Sequence, residues 1–173
     1  HERVLLVEQS RRPAVVICLL PADALEYDDA ELGAPDEDEL VAALSGEMPV
    51  DAAMVTLDGQ TIGDLDPNTR RKIGLCAAPE ERNGHAAAPD MSLVENAFLT
   101  GDVRHGLSKN GFVNWGKARA FAASVVKNFD VRTPGTGTAA RALSGGNLQK
   151  FVIGREILQK PEVLVVNQPT WGV

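Results

Sequence analysis

The sequence predicts an α/β domain with a mostly parallel β-sheet, and three observations support this fold class. Val163 to Val166 is a run of four apolar residues, three of them β-branched, as in a strand buried in a parallel sheet. Ser144-Gly145-Gly146 precedes apolar residues at helical spacing, which describes a loop that turns into a helix. Strand-like and helix-like segments also alternate along the 173 residues, as they do in α/β folds.

The first half of the chain is predicted to be rich in strands. Two short strands are expected first, joined by a turn over residues 10–13, and an acidic loop follows over residues 21–35. A helix over Asp38–Leu44 is capped by Asp36 or Asp38 and ends at Gly46. The predicted strands cover residues 3–8, 14–20, 24–27, 53–57 and 73–77. The fourth of these enters a hairpin at the Asp58-Gly59 turn.

The second half is predicted to be mostly helical. Ser92 and Glu95 form a capping box at the start of a helix that is expected to stop near Gly101. Residues 115–129 carry apolar side chains at helical spacing. The glycine-containing stretch 133–138 is interpreted as a linker, because no strand precedes it and no lysine of a phosphate loop follows it.

Composition excludes several classes of function. The net charge is −7, and residues 13–68 contain fourteen Asp and Glu but no Lys or Arg, so a nucleic-acid role is not expected. No stretch approaches the roughly 18 apolar residues of a membrane-spanning helix, and no signal peptide is recognised. Cys18 and Cys76 lack metal-ligand spacing and the histidines are scattered, so no metal site of this chain's own is expected.

The candidate binding residues lie where Ser144 begins a helix. Ser144 is a natural N-cap, and Gly145 and Gly146 would let an anion approach the free backbone N–H groups. A bare Ser-Gly-Gly is also compatible with an ordinary capped helix, so its neighbours must decide.

Those neighbours resemble the ATPase domain of ABC transporters. The motif LSGGN at 143–147 is followed by Gln149-Lys150, and the Val163 to Val166 strand ends at the polar pair Asn167-Gln168. The branch that imports sugars and nucleosides is most similar. Its further motifs are PEERNGH at 79–85, MSLVEN at 91–96 and PTWGV at 169–173. The resemblance runs from about Asp38 to Val173 and is strongest to the second, C-terminal ATPase half of such importers.

The resemblance implies a P-loop-NTPase-like fold. Residues 1–78 would form a small β part with the phosphate-loop region, 79–160 a helical signature subdomain, and 161–173 the Walker B strand. The sequence stops within the family's D-loop, so the domain is expected to be incomplete at its C-terminus. An apolar sheet edge is then expected beside Val163 to Val166.

The chain's own nucleotide site is predicted to be degenerate. No GxxxxGK[ST] occurs, and alignment with the family places Gly33 to Asp38 on the phosphate loop. Ala34 and Asp36 then stand at glycine positions, Glu37 at the lysine position and Asp38 at the Ser/Thr position. Four carboxylates in a row, residues 36–39, would repel a triphosphate; the alternative interpretation is a solvated acidic turn at a helix start.

The Walker B positions also indicate a degenerate nucleotide site. Asn167 and Gln168 have the shapes of the family's aspartate and glutamate without the charge, so they neither attract Mg²⁺ strongly nor act as a base. Glu80 stands where many ABC ATPases have the Q-loop glutamine, and this branch often has Pro-Glu there. No residue is therefore assigned a catalytic role.

The signature residues are predicted to act on a partner's nucleotide. In the family each ATPase domain offers LSGGN to the ATP held by the other, and the implied residues here are Ser144, Gly145, Gly146, Asn147 and Gln149. ATP and Mg²⁺ are expected at this shared interface, and none on the isolated chain.

The resemblance implies two partners, a second ABC ATPase domain and a membrane permease subunit. The permease subunit would contact the region from Arg82 to Glu95. The alternative interpretation is that this region is an ordinary surface loop. The expected location is cytoplasmic, on the inner face of the plasma membrane. A rival hypothesis is a structural or regulatory module without a nucleotide role, and a third is an active ATPase with an unrecognised phosphate loop.

Overall fold

The computed structural model describes residues 5–7, 15–19, 37–57, 59–79 and 84–167. Several predicted features lie outside these residues: the strand around 24–27, the loop positions Ala34 and Asp36, the Q-loop position Glu80, and Gln168. The chain divides into two compact units, which are described separately. The first comprises His1–Ala77 and Glu162–Gln168, and the second comprises Ala78–Pro161 and Pro169–Val173.

Eight strands and five α-helices are present in the described residues. The strands are β1 Leu5–Val7, β2 Val15–Leu19, β3 Val55–Leu57, β4 Gln60–Thr61, β5 Leu75–Ala78, β6 Ser108–Lys109, β7 Phe112–Val113 and β8 Val163–Asn167. The helices are α1 Glu37–Ser45, α2 Pro67–Lys72, α3 Leu93–His105, α4 Trp115–Asn128 and α5 Gly145–Ile157. Short 3₁₀ turns cover Ala52–Met54 and Ala140–Ala142.

The first unit contains two three-stranded sheets, with strand orders β1-β3-β4 and β2-β8-β5. Strand β2 is parallel to β8, with Val15 opposite Val163, and β1 is parallel to β3. Strand β4 returns antiparallel to β3, which confirms the predicted hairpin at 58–59. The predicted α/β class with mostly parallel pairing is therefore confirmed.

The first two predicted strands are not paired with each other, because β1 and β2 belong to different sheets. The expected apolar edge does not fall on β8 itself, because β8 lies between β2 and β5 among the described strands. Val163, Leu164, Val165 and Val166 are all buried, since a central strand of a parallel sheet is covered on both faces.

The core of the first unit packs α1 against this central strand. Its buried members are aliphatic: Val41, Leu44, Val55, Leu57, Ile62, Leu75, Val163 and Val165. Helix α1 starts at Glu37, one residue before the predicted start, so Glu37 and Asp38 lie in its first turn. It ends before Gly46, whose φ of 86° is the left-handed conformation predicted for a glycine cap.

Helix α2 was not predicted from the sequence. The Asp66 side chain accepts hydrogen bonds from the backbone N–H groups of Asn68 and Thr69, and Pro67 occupies the first turn. The Thr69 hydroxyl also donates to the Asp66 carboxylate. This hydrogen bond is the main reason why the pKa of Asp66 lies below its usual value, and the two backbone hydrogen bonds lower it further. The helix has no apolar stripe, and its buried residue is Arg70, which is why periodicity missed it.

Arg70 fastens the end of α1 to the loop before α2. Its guanidinium is fully buried and donates to the carbonyl oxygens of Leu44 at 2.9 Å and Gly63 at 2.7 Å, and also to that of Ala43. Burial lowers the pKa of Arg70, and the carboxylates of Asp64 and Asp66 oppose that shift. The positive charge therefore satisfies carbonyl groups that the end of a helix leaves unpaired.

The second unit is built from α3, α4 and α5, with the small antiparallel hairpin β6–β7 between α3 and α4. Helix α3 continues through Gly101, where the sequence predicted its end, and stops at Gly106 with φ 57°. A Cβ at Gly101 would lie 2.6 Å from the Phe121 ring, so this glycine serves the close packing of α3 on α4. Helices α4 and α5 are confirmed within one residue of their predicted starts.

No helix in the described ranges combines the length and apolar character that crossing a bilayer requires.

Candidate functional site

The candidate site lies where α5 begins. Ser144 is the N-cap residue, with extended backbone angles of φ −63° and ψ 154°, and its carbonyl accepts the first bond of the helix from Leu148 N–H at 2.9 Å. Its side chain makes no capping hydrogen bond to the helix. The Ser144 hydroxyl oxygen instead accepts a hydrogen bond from Asn147 Nδ2 at 2.9 Å.

The start of α5 presents unused donors to its surroundings. Ser144 and Gly145 are exposed, and Gly146 and Asn147 are partly exposed. Within the described residues, the N–H groups of Gly145, Gly146 and Asn147 have no acceptor, as expected for the first turn of a helix without a side-chain cap. The Ser144 hydroxyl also donates to no acceptor there. This donor set fits an anion with several oxygen atoms, such as a terminal phosphate.

Asn147 holds this arrangement in place. Its side-chain oxygen accepts from the Arg132 N–H at 2.8 Å, while its amide nitrogen donates to Ser144 Oγ. Lys150, one turn on, lies 3.8 Å from an Asp130 carboxylate oxygen and donates to the Asp130 carbonyl at 3.4 Å. The loop that follows α4 is thereby attached to the first turns of α5.

A second segment, residues 84–92, is attached to the chain that leads into Ser144. It contains turns but no helix or regular strand. Its backbone and the start of α3 bond to residues 136–141: Leu93 N–H donates to Thr138 O at 3.0 Å, and Ala140 N–H donates to Met91 O at 2.9 Å. An ion pair between Arg141 and Asp90 at 2.6 Å lies on the exposed side.

The capping box predicted at the start of α3 is confirmed. The Glu95 carboxylate accepts from Ser92 N–H at 2.8 Å and from Ser92 Oγ at 2.6 Å, and Glu95 N–H donates back to the Ser92 hydroxyl. The hydrogen bond from the Ser92 hydroxyl is the main reason why the pKa of Glu95 lies below its usual value.

Asn96, which is fully buried, organises the 84–92 segment from inside. Its amide nitrogen donates to the carbonyls of Ala88, Met91 and Ser92 at 3.0–3.1 Å, and its side-chain oxygen accepts from Ala88 N–H at 2.8 Å. The Asn96 side chain thus forms hydrogen bonds with the backbone at both ends of the stretch from residue 88 to residue 92.

Arg155 of α5 joins the same segment. Its guanidinium, 2% exposed, donates to Ala86 O at 2.8 Å and to Asn96 O at 3.0 Å. The buried carboxylate of Glu156 balances its charge at 2.9 Å, and Gln159 donates to that carboxylate. Sequence analysis missed Arg155, because a charged residue in a helix gives no signal of burial.

The structure brings four of the five predicted signature residues together, Ser144 to Asn147, and separates the fifth. Gln149 is 7% exposed and lies on the buried side of α5, so its contact with a partner's nucleotide stays a prediction. The Asn147 side-chain amide accepts from Arg132 N–H and donates one of its two protons to Ser144 Oγ.

The predicted residues of the chain's own site are placed only in part. Glu37 and Asp38 lie in the first turn of α1, and Asn167 is the last residue of β8. Across residues 37–57, 59–79 and 84–167, no cluster of three or more His, Cys, Asp or Glu side chains is arranged to hold a metal ion.

Comparison with known proteins gives relatives of one kind, although no family model matches. The chain is 37% identical over 137 residues to the guanosine import ATP-binding protein NupO of Bacillus subtilis, which covers 79% of this chain and 27% of that protein. It is 40% identical over 138 residues to the glucose import ATP-binding protein TsgD13 of Haloferax volcanii, covering 78% of this chain and 25% of that protein.

Solved structures agree on the fold. The dimeric post-hydrolysis structure of the ATP-binding cassette MJ0796 bound to ADP and Pi matches with a TM-score of 0.61 at 20% identity, over 79% of this chain and 57% of that one. The chain thus spans about a quarter of the length of the curated relatives it matches.

Proposed function

The chain belongs to the family of ATP-binding domains of ABC transporters that import sugars and nucleosides, and on that premise we propose that it supplies the LSGGN motif to a nucleotide held by a partner ATPase domain. Its own nucleotide site is inactive in this proposal. The domain therefore contributes half of one active site and completes none by itself.

The observation that carries the proposal is the state of Ser144. Its hydroxyl proton has no acceptor among the described residues and its side chain leaves the helix uncapped, so several donors remain unused at one exposed helix start. Donors arranged in advance around developing charge stabilise a transition state, and each is typically worth about a hundredfold or more in rate. ATP with Mg²⁺ would supply the reacting phosphoryl group, and Ser144 to Asn147 would orient its terminal phosphate.

The absence of the family's acidic and lysine residues supports an inactive site on this chain. The sequence has Glu37 at the lysine position and Asn167-Gln168 at the Walker B positions. An amide at these positions lacks the charge that attracts Mg²⁺ and the basicity that activates water.

The proposed partners follow from the same premise. A second ABC ATPase domain would hold the nucleotide, and a membrane permease subunit would contact the 84–92 segment, which falls within the predicted Arg82 to Glu95 region. That arrangement places the domain in the cytoplasm, at the inner face of the membrane. Relatives include a guanosine importer protein and a ribose importer protein, so the solute belongs to the sugars or nucleosides.

The test replaces Ser144 by arginine in the full-length ATPase chain assembled with its partner and membrane subunits. The exposed position tolerates the larger side chain, which would fill the donor site with bulk. We expect ATP hydrolysis to fall about a hundredfold, while Ala123→Arg, on the exposed side of α4, leaves it unchanged. Unchanged hydrolysis in Ser144→Arg would overturn the trans role and favour the structural or regulatory module.

A further inference from the structure

We propose that Arg155 is a positioning residue that makes the 84–92 segment and helix α5 move as one body, so that displacement of that segment by the membrane subunit reaches Ser144. The proposal rests on the proposed function, which assigns the membrane contact to the segment and the nucleotide contact to Ser144. It adds the link between the two.

The first step concerns the internal hydrogen bonds of the 84–92 segment, which contains no helix or regular strand. Residues 84–92 lie in turns, yet Ala86 and Ala87 are buried at 7% and 2% exposure. Inside the segment, Gly84 N–H donates to Ala87 O at 2.9 Å, and Asn96 binds the stretch from 88 to 92. The segment is therefore internally rigid, and its coupling to other elements depends on the contacts that leave it.

The second step concerns those contacts, of which one is made by α5 itself and the other by the chain that leads into α5. Near the N-terminus of α5, residues 136–141 bond to the segment and to the start of α3, and Ser144 follows three residues later. Further along, Arg155 of α5 donates to Ala86 O of the segment and to Asn96 O of α3. Eleven residues separate Ser144 from Arg155, which in a helix is about 16 Å. The segment is therefore attached both to the chain that enters α5 and to a residue far along the helix, so that α5 follows the segment when it is displaced.

The third step concerns why the link is a charged side chain. The guanidinium is planar and carries its donors in a fixed fork, so it can bind two carbonyls of different turns at once in a defined geometry. Glu156 compensates the buried charge from the neighbouring position, and Gln159 completes that carboxylate's hydrogen bonds. A hydrophobic residue could fill the same volume, but it would let the segment slide on α5.

The experiment removes the link without leaving a buried charge unpaired. Arg155 and Glu156 are replaced together by methionine in the full-length ATPase chain, because removing one partner alone would destabilise the fold, whereas removing both is often neutral. Arg104→Met is the matched control: Arg104 also donates to two carbonyls beside α5, those of Gln159 and Lys160 at 2.9 and 3.0 Å, but none of these belongs to the 84–92 segment.

Two quantities are measured on chains whose melting midpoint equals that of the wild type. One is the ratio of ATP hydrolysis with the membrane subunits to hydrolysis without them. The other is hydrogen exchange of the Gly145–Leu148 amides with and without those subunits. In the double variant we expect the ratio of hydrolysis with the membrane subunits to hydrolysis without them to fall about tenfold. The change in hydrogen exchange that the membrane subunits cause should disappear. Hydrolysis by the ATPase domains alone should stay unchanged. Arg104→Met keeps both responses.

Retention of both responses by the folded double variant would overturn the proposal, as would an equal loss in Arg104→Met, which would indicate general loosening of α5. If the double variant does not fold, Arg155→Lys is measured instead. A lysine keeps the charge but lacks the fork, so a partial loss of both responses is expected and full retention contradicts the link. Failure of the trans role appears separately, as unchanged hydrolysis in Ser144→Arg.

Discussion

Asn147 determines how Ser144 presents its hydroxyl group. Because Asn147 Nδ2 donates to Ser144 Oγ, the hydroxyl proton must point to another acceptor. The other end of the amide is fixed by Arg132 N–H, so the amide orientation is set by the backbone of the preceding loop. This residue therefore acts through Ser144, as a positioning residue of the proposed site.

Asn147→Asp tests that role, because it keeps the shape but replaces the amide donor by a carboxylate oxygen. A negative charge in the first turn of a helix is favourable for the fold, so we expect the urea midpoint to stay constant or rise. The same charge repels a terminal phosphate, and we expect ATP hydrolysis in the assembled transporter to fall by about tenfold to a hundredfold, a cost of about 1–3 kcal/mol.

The matched control is Asn128→Asp, the same substitution at the exposed end of α4. It changes the net charge equally, so hydrolysis should stay at the wild-type level. A normal rate in Asn147→Asp would contradict the assignment of Ser144 to phosphate.

At the scale of single elements, helix α3 has an ionisable side chain with a shifted pKa at each end, Glu95 near its start and His105 at its last residue. Its start has the Ser92–Glu95 capping box, and its last residue is His105, whose ring lies 4.3 Å from that of Phe121 between centroids. Burial lowers the pKa of His105, and the positive charges of Arg104 and Lys160 lower it further, while a hydrogen bond with the Leu158 backbone opposes the shift.

This lowered pKa predicts that acid weakens the fold. The native imidazole is neutral at a pH where the unfolded one, with its ordinary pKa of 6.5, already binds a proton. The unfolded state therefore binds more protons below that pH, and stability falls as the pH decreases through the native pKa. We expect the urea midpoint to drop when the pH is lowered from neutrality to about 5.

His105→Gln removes the titrating group and should flatten this pH dependence. The carboxylate of Glu95 also has a lowered pKa, but it loses its contribution only at pH values below its ordinary 4.5. An equally steep dependence in His105→Gln between neutral pH and about 5 would show that another group is responsible.

The elements predicted well are those whose apolar pattern alone decides their structure. Strand β8 and helix α4 were correctly placed because a continuous β-branched run and a helical stripe each have one low-energy arrangement. The capping box at Ser92 was readable because both of its partners lie within four residues.

The elements missed depend on contacts between distant parts of the chain. Helix α2 is held by Arg70, whose carbonyl partners lie up to 27 residues away, and the end of α3 was misplaced because Gly101 serves packing on Phe121. The same holds for the site: the LSGGN motif was readable as a local pattern, but the burial of Gln149 and the reach of Arg155 to Ala86, 69 residues away, were not.

At the scale of the whole chain, the proposed division of labour follows from where charge is placed. The positive end of the α5 helix dipole and its free donors attract a phosphate, whereas residues 13–68 contain no lysine or arginine. In the proposed function, one chain would therefore combine an attractive surface for a partner's nucleotide with an acidic stretch that disfavours a nucleotide of its own.

The last prediction concerns the proposed inactivity of the chain's own nucleotide site and separates its two possible causes, the Walker B amides and the acidic loop. Asn167→Asp with Gln168→Glu restores the Walker B charges but leaves the four carboxylates at 36–39 and the missing phosphate-loop lysine. Repulsion between like charges about 4 Å apart is about 4 kcal/mol near a protein surface, so restored metal binding should not rescue ATP binding. We expect neither the wild type nor this variant to bind a fluorescent ATP analogue with a Kd below about 1 mM in the presence of Mg²⁺.

Replacing residues 31–38 by a GxxxxGK[ST] sequence in the same double variant should restore Mg²⁺-dependent binding, because it supplies the backbone donors, the lysine and the hydroxyl together. The wild-type chain carrying that loop alone should bind the analogue more weakly, since Asn167 cannot hold the metal as a carboxylate does. Tight binding by the unmodified chain would mean that the acidic stretch is not what excludes the nucleotide, and the inactive-site proposal would have to be abandoned.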